Sequence, residues 1–381
     1  MAGADRADNQ SLTLLEIHRA PGRTPNAYIG GSVSWSGTDK PCRAGADARQ
    51  LEKHAHPSLS LNQDHDRLKD TIMRRGYNRP LYLLPFDHRR SYVTGLFKFT
   101  PPLTAVEHRA VVDSKRVIYN GFRQAVDSDV PIARAGILVD EEFGADILRE
   151  AVRSGCVTAL STEKSGSNEF EFEYGAAFAE HIEAFAPTFA KVLVRYNPEG
   201  DGALNRRQAA RLTQLSDYCR TAGQLFMFEL LVPATPAQME RVRMDTQTYD
   251  LQLRPELTLQ TIRLLQDVGV EPDVWKIEGL DRREDCERVV ETARRDGRHD
   301  VGCIVLGRGA DQRKVVAWLE TAASVPGFIG FAVGRTTFWD AVADYEAHRV
   351  SKQEAASRVA QRYREWAAIF ERAHPSHSSA A

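Results

Sequence analysis

Residues 191–231 decide the fold. Lys191-Val-Leu-Val-Arg-Tyr196 is a short apolar run of period two, Asn205–Ala222 is apolar at helical spacing, and Leu225-Phe-Met-Phe-Glu-Leu-Leu231 is a second apolar run. A strand, a helix and a second strand in that order call for a parallel pair joined by a right-handed crossover.

The same unit repeats in both directions. The sequence predicts strands at Leu81–Phe86, Ala135–Val139, Cys156–Ser161, Lys191–Tyr196, Leu225–Leu231, Asp273–Glu278, Gly302–Leu306 and Gly327–Val333. Helices are predicted at Val106–Ala125, Ala145–Ser154, Phe178–Phe185, Asn205–Ala222, Leu257–Val268, Arg283–Asp296 and Gln312–Ala323, with another after Arg335. Eight strand–helix units over about 270 residues have the count and size of an α/β, (β/α)8 TIM barrel. An open doubly wound sheet would carry a Gly-rich turn after its first strand, where this chain has Asp87-His88-Arg89-Arg90. The barrel is assigned to 76–350. A C-terminal helix, Ser351–Ala373 within 351–381, is expected to cover the barrel or a partner subunit. Residues 1–75 lack either period and read as a loosely structured N-terminal extension, apart from a short helix near Asp64–Arg75. Its His54, His56 and His65 are read as solvated side chains.

Composition limits the function classes. The 381 residues include 50 basic and 52 acidic side chains for a net charge of −2, which supplies no basic field for nucleic acid. No apolar run approaches the ~20 residues that cross a bilayer, and the first residues lack the apolar core of a secretory signal. Five scattered cysteines without a C-x-x-C pair suggest reduced thiols. A cytoplasmic protein that binds neither nucleic acid nor membrane is expected, and a homo-oligomer is compatible with the sequence. Lysine supplies only ten of the 50 basic residues, as a GC-rich coding sequence would give. A lysine inside an apolar strand is therefore conspicuous.

In such barrels the chemistry sits at the C-terminal ends of the strands. The strands close on Asp87-His88-Arg89, Asp140-Glu141-Glu142, Glu163-Lys164-Ser165-Gly166, Arg195 and Asn197, Glu278, Gly307-Arg308-Gly309 and Gly334-Arg335. Two charged residues lie inside the runs, Glu229 and Lys276, and Lys191 opens the fourth run. An ionised side chain among Phe, Met, Trp and Leu must be paired or change its protonation, and a desolvated lysine favours the neutral amine. Period two places Lys191, Leu193 and Arg195 on one face. A lone strand lysine reads most simply as half of a structural salt bridge. Two lysines and a glutamate on consecutive strands read instead as Schiff-base chemistry, with Lys276 as nucleophile, Glu229 moving protons and Lys191 beside them. Gly307-Arg308-Gly309 and Gly334-Arg335 stand where barrels commonly receive a phosphate.

These motifs resemble a known family. Leu84-Pro-Phe-Asp-His-Arg89, Gly136-Ile-Leu-Val-Asp-Glu-Glu-Phe-Gly144, Thr162-Glu-Lys-Ser-Gly166, Lys191-Val-Leu-Val-Arg-Tyr-Asn-Pro-Glu-Gly-Asp201, Met227-Phe-Glu-Leu-Leu-Val-Pro233, Asp273-Val-Trp-Lys-Ile-Glu-Gly279 and Phe331-Ala-Val-Gly-Arg-Thr-Thr-Phe-Trp339 look like the aldolase module of bacterial myo-inositol catabolism. That module is often fused to a 5-dehydro-2-deoxygluconokinase and is related to the class I tagatose-bisphosphate aldolases. The resemblance spans about residues 80 to 350. It implies Lys276 as the Schiff-base lysine, Glu229 as the proton-transferring glutamate and Lys191 as the second active-site lysine. It further implies a phosphate-binding end at Arg335 and Gly307, and polar mouth residues at Asp87, Glu163 and Lys164. The implied reaction is cleavage of 2-deoxy-5-keto-D-gluconate 6-phosphate to dihydroxyacetone phosphate and malonic semialdehyde, with no metal or other cofactor. For the carboxylate of this phosphorylated keto-sugar acid, side-chain direction suggests Arg195 or Arg89.

The chain departs from the pattern in two places. It contains no Gly-Ala-Gly-Asp nucleotide motif, so a separate polypeptide is expected to supply the kinase, and residues 1–75 match neither half. Competing readings are a class I aldolase for another ketose phosphate, a non-catalytic sugar-phosphate-binding barrel, and a metal-dependent aldolase. The last would need clustered histidines at the strand ends, where only His88 stands.

Overall fold

The computed structural model describes residues 76–374. The predicted N-terminal extension, with its histidines and short helix, and the last seven residues lie outside the described residues. Eight parallel strands close into a barrel in sequence order: β1 Leu81–Pro85, β2 Ala135–Val139, β3 Val157–Ser161, β4 Phe189–Arg195, β5 Leu225–Leu231, β6 Val274–Glu278, β7 Gly302–Leu306 and β8 Phe328–Ala332. Each strand has its helix outside: α1 Ala105–Ser128, α2 Glu141–Arg153, α3 Phe178–Phe185, α4 Gly202–Ala222, α5 Arg254–Asp267, α6 Arg283–Ala293, α7 Gln312–Ala323 and α8 Arg335–Glu346. A ninth, α9 Lys352–Ala373, follows. The expected TIM barrel with an added C-terminal helix is therefore observed. No described helix is long and apolar enough to cross a membrane.

Closure depends on backbone contact at the β1–β8 seam. A Cβ on Gly330 would lie 1.7 Å from the Leu81 carbonyl oxygen, so only glycine lets the two strands pair there. Inside, Leu81, Leu83, Leu138, Phe189, Met227 and Ile304 form a separate apolar plug. Toward the C-terminal ends the inward positions turn polar. Leu193, Glu229, Lys276 and Ile304 form one register row across β4 to β7, and Lys191 lies one inward position below Leu193. The period-two reading of β4 places this charge correctly.

Element ends differ from expectation for local reasons. β4 begins at Phe189, not Lys191, because Phe189 pairs with Ala159 and Leu225 and fills the plug. α2 begins at Glu141, not Ala145, because Asp140 caps it by accepting the Phe143 amide at 2.9 Å. α9 packs beside α1 and α8 on the barrel's flank. Tyr363 Oη donates to the Tyr82 carbonyl at 2.7 Å, and Trp366 Nε1 donates to Thr337 Oγ1 at 3.0 Å.

Candidate active site

The side chains singled out on β4, β5 and β6 converge. Lys191 Nζ lies 2.7 Å from Asp87 Oδ2, 2.8 Å from Glu163 Oε1 and 2.9 Å from Glu229 Oε2. The same Glu229 oxygen lies 2.8 Å from Lys276 Nζ. Lys191 is fully buried beneath this group. Asp87, Glu163, Glu229 and Lys276 form the floor of a cavity of about 800 Å³ at the C-terminal mouth of the barrel.

Charge distribution assigns these groups different tasks. Burial alone would lower the Lys191 ammonium, but Asp87, Glu163 and Glu229 outweigh it and hold the group protonated well above the ordinary lysine range. Burial would raise Asp87, yet Lys191 and then Lys276 keep its carboxyl well below the usual range. Glu229 is likewise lowered, its burial outweighed by the same two lysines. Glu163 behaves oppositely: burial raises it, and the Lys191 contact does not make up the difference. His88, beside Asp87, is pushed down to about 4, chiefly by burial, and so is neutral near pH 7.

The far wall holds the predicted anion end. Arg308 and Gly309 are both left-handed, with φ of 50° and 72°. The Arg308 carbonyl accepts from Arg335 Nη2 at 2.8 Å, beside the start of α8 at Gly334. Arg335 is exposed, and among the described residues no carboxylate pairs with it. Arg308 is engaged already, with Nε 3.0 Å from Glu278 Oε1 and Nη1 2.8 Å from Asp250 Oδ2. Glu278 Oε2 also accepts the Val232 amide at 2.9 Å. Arg308 thus ties the loop after β7 to the end of β6 and to the segment after β5, while Arg335 keeps a free charge. Gly307 lines the same wall.

The two arginines considered for a carboxylate also separate. Arg89 is buried, pairs with Glu173 at 2.5 Å and donates to the Glu163 carbonyl. Arg195 is exposed on the rim, where Nη1 donates only to the Ser167 carbonyl at 3.3 Å. Lys164, also on the rim, pairs with Glu171 at 3.2 Å.

A model of a bacterial protein family described as "Uncharacterized protein conserved in bacteria (DUF2090)" matches residues 49–374. The chain belongs to the DUF2090 family. No protein of curated function matches this DUF2090 member in sequence. Among solved structures it is similar to a fructose-bisphosphate aldolase from Plasmodium falciparum, with 12% identity over 83% of this chain and 97% of the other, at a TM-score of 0.53. It is also similar to an archaeal fructose 1,6-bisphosphate aldolase, with 11% identity over 80% of this chain and 98% of the other, at a TM-score of 0.50. At such identities the likeness is one of fold.

The DUF2090 site includes partners that the sequence reading missed. Lys115 on α1 forms a fully buried ion pair with Asp140 at the end of β2, and burial lowers its ammonium despite that partner. Its signal was present, since it is one of only ten lysines, but helical lysines are ordinarily solvated. Asp250, Glu278 and Glu173 hold Arg308 and Arg89 from other elements, a pairing that no local period encodes. Among the described residues no three His, Cys, Asp or Glu side chains are placed to share a metal ion.

Proposed function

We propose that this protein is a class I aldolase, a carbon–carbon lyase in which Lys276 forms a Schiff base with a phosphorylated ketose. One observation carries the reading: Lys276 opens onto the cavity with Glu229 at 2.8 Å, while Lys191, ringed by three carboxylates, shares that same carboxylate oxygen. The solved aldolases of similar fold are consistent with this reading, but the side chains are its basis. In the proposed reaction the Lys276 amine adds to the ketone carbon, and Glu229 moves the protons that let water leave. The bond two carbons along then breaks as the hydroxyl loses its proton, and its electron pair flows into the iminium to give an enamine. Protonation at carbon and hydrolysis release the ketone product and return the free amine.

Within this class we favour 2-deoxy-5-keto-D-gluconate 6-phosphate as substrate, giving dihydroxyacetone phosphate and malonic semialdehyde in myo-inositol catabolism. Its two charged ends match two cations at opposite edges of the mouth that no described carboxylate pairs with, Arg335 for the phosphate and Arg195 for the carboxylate. A ketose monophosphate without a carboxylate would have no use for Arg195, whereas a ketose bisphosphate could place its second phosphate there. The deciding assay supplies this keto-acid phosphate and a panel of phosphorylated ketoses and measures release of dihydroxyacetone phosphate. Preferential cleavage of the keto-acid supports the assignment. Preference for a ketose bisphosphate moves the protein to the neighbouring specificity, and release from none of them removes the aldolase reading.

A further inference from the structure

We infer that Arg90 joins Arg195 in receiving a second anionic group of the substrate, opposite the Arg335 end of the mouth, an inference that rests on the aldolase reading and narrows its substrate to a sugar chain charged at both ends. Arg90 follows β1 and Arg195 ends β4, yet both side chains come to one loop, the segment after β3. The Arg90 amide donates to Ser165 Oγ at 3.1 Å. A Cβ on Gly166, whose φ is 77°, would lie 2.7 Å from Arg90 Cδ and 3.3 Å from its Nη1, so the arginine lies across the glycine backbone. Arg195 Nη1 donates to the carbonyl of the next residue, Ser167, at 3.3 Å. Both arginines and all three loop residues line the cavity onto which Lys276 opens.

The loop holds acidic groups that could have neutralised these arginines, and each is committed elsewhere. Glu163 pairs with Lys191, Glu169 with Arg207 and Arg211, Glu171 with Lys164, and Glu173 with Arg89. Among the described residues no carboxylate pairs with Arg90 or Arg195, whose polar contacts are to Ser165 and Ser167. Arg335 reaches the Arg308 carbonyl in the loop after β7, and in a closed barrel of eight strands β3 and β7 are diametrically opposed. Unpaired cations therefore stand at opposite edges of a mouth whose floor holds Lys276. A guanidinium offers a carboxylate or a phosphate two parallel N–H donors, and its charge does not depend on pH in the working range. A substrate ending in a hydroxyl would leave both arginines of the β3 edge with water alone.

The test uses three six-carbon probes without a ketone, so that binding is read apart from imine chemistry. Each carries a phosphate at one end. The other end is a carboxylate in 6-phosphogluconate, a phosphate in mannitol 1,6-bisphosphate and a hydroxyl in sorbitol 6-phosphate. In isothermal titration calorimetry the full chain should bind 6-phosphogluconate at least ~10-fold more tightly than sorbitol 6-phosphate, the low end for hydrogen bonds to a charged group. Arg90→Ala should weaken 6-phosphogluconate by about tenfold and leave sorbitol 6-phosphate unchanged, which also shows that the variant is folded. Replacing Arg195 by alanine as well should abolish the preference. If mannitol 1,6-bisphosphate binds most tightly with the same dependence on Arg90, the two-arginine site stands and its anion is a phosphate. Unchanged affinity for both doubly charged probes in Arg90→Ala, or an equal loss for all three, would overturn the proposal, as would a native protein that does not distinguish the probes. Native protein that labels at Lys276 with dihydroxyacetone phosphate and borohydride but fails these titrations loses the Arg90 assignment alone. Failure to label removes the aldolase reading whatever the titrations give, so the two failures are distinguishable.

Discussion

A single oxygen, Glu229 Oε2, lies 2.8 Å from Lys276 Nζ and 2.9 Å from Lys191 Nζ. It joins the lysine proposed as nucleophile to the lysine that three carboxylates keep charged. A proton leaving Lys276 meets an acceptor at hydrogen-bond distance, and the neighbouring cation balances the charge that moves.

Glu229→Gln preserves the shape of this junction and removes its proton acceptor. Turnover should fall by roughly 10²–10⁴-fold, and imine formation with dihydroxyacetone phosphate should slow with it. A variant that forms the imine at the native rate would show that Glu229 does not relay that proton.

Lys191→Met leaves Asp87, Glu163 and Glu229 without their shared cation. Removing one partner from a buried ion pair costs about 3–5 kcal/mol, so urea unfolding at neutral pH should show a loss of this order. The pH dependence should also change sign. In the native protein Asp87 and Glu229 are lowered, so their contribution is present above the ordinary carboxylate range of about 4 and is lost as pH falls through their folded values. Lys191 is raised, so its contribution is complete below the ordinary lysine range and is lost only above it. Without Lys191 the crowded carboxylates repel, and acidification into the carboxylate range should stabilise the variant where it destabilises the native protein.

Arg335→Ala should raise the KM for phosphorylated substrate about 10–100-fold and change kcat little, the loss expected for a hydrogen bond to a charged group. Competitive inhibition by inorganic phosphate should weaken in parallel. Asp250→Asn acts on the same wall through Arg308 and should give a smaller KM change in the same direction.

Arg195→Ala should raise the KM for the keto-acid phosphate by about tenfold, the low end for a charged hydrogen bond at an exposed position. Labelling by dihydroxyacetone phosphate, which has no carboxylate, should be unaffected. An unchanged KM for the keto-acid would remove the carboxylate assignment.

The order of the barrel was legible because eight short apolar runs alternate with amphipathic segments, and β5, β7, α3 and α7 have the boundaries the sequence predicts. Glu229 and Lys276 were legible because each interrupts an apolar run at an inward-facing position, where an unpaired charge is costly, and Lys191 because it heads an apolar run whose period of two turns it the same way. What escaped depends on contacts between distant segments. The capping role of Asp140 looks like a polar strand end until the Phe143 amide is in place. Lys115 looks like any helical lysine until α1 buries it against Asp140. The division between an engaged Arg308 and a free Arg335 depends on Asp250 and Glu278, which approach from the segment after β5 and from the end of β6. The docking of α9 beside α1 and α8 rests on Tyr363 and Trp366 finding Tyr82 and Thr337, which the helical period alone does not specify.

The central claim is that Lys276 is the nucleophile. Incubation with dihydroxyacetone phosphate, reduction by borohydride and peptide mapping by mass spectrometry should find a single adduct on Lys276, absent from Lys276→Arg. An adduct on Lys191 or on another lysine, or none at all, would contradict the account.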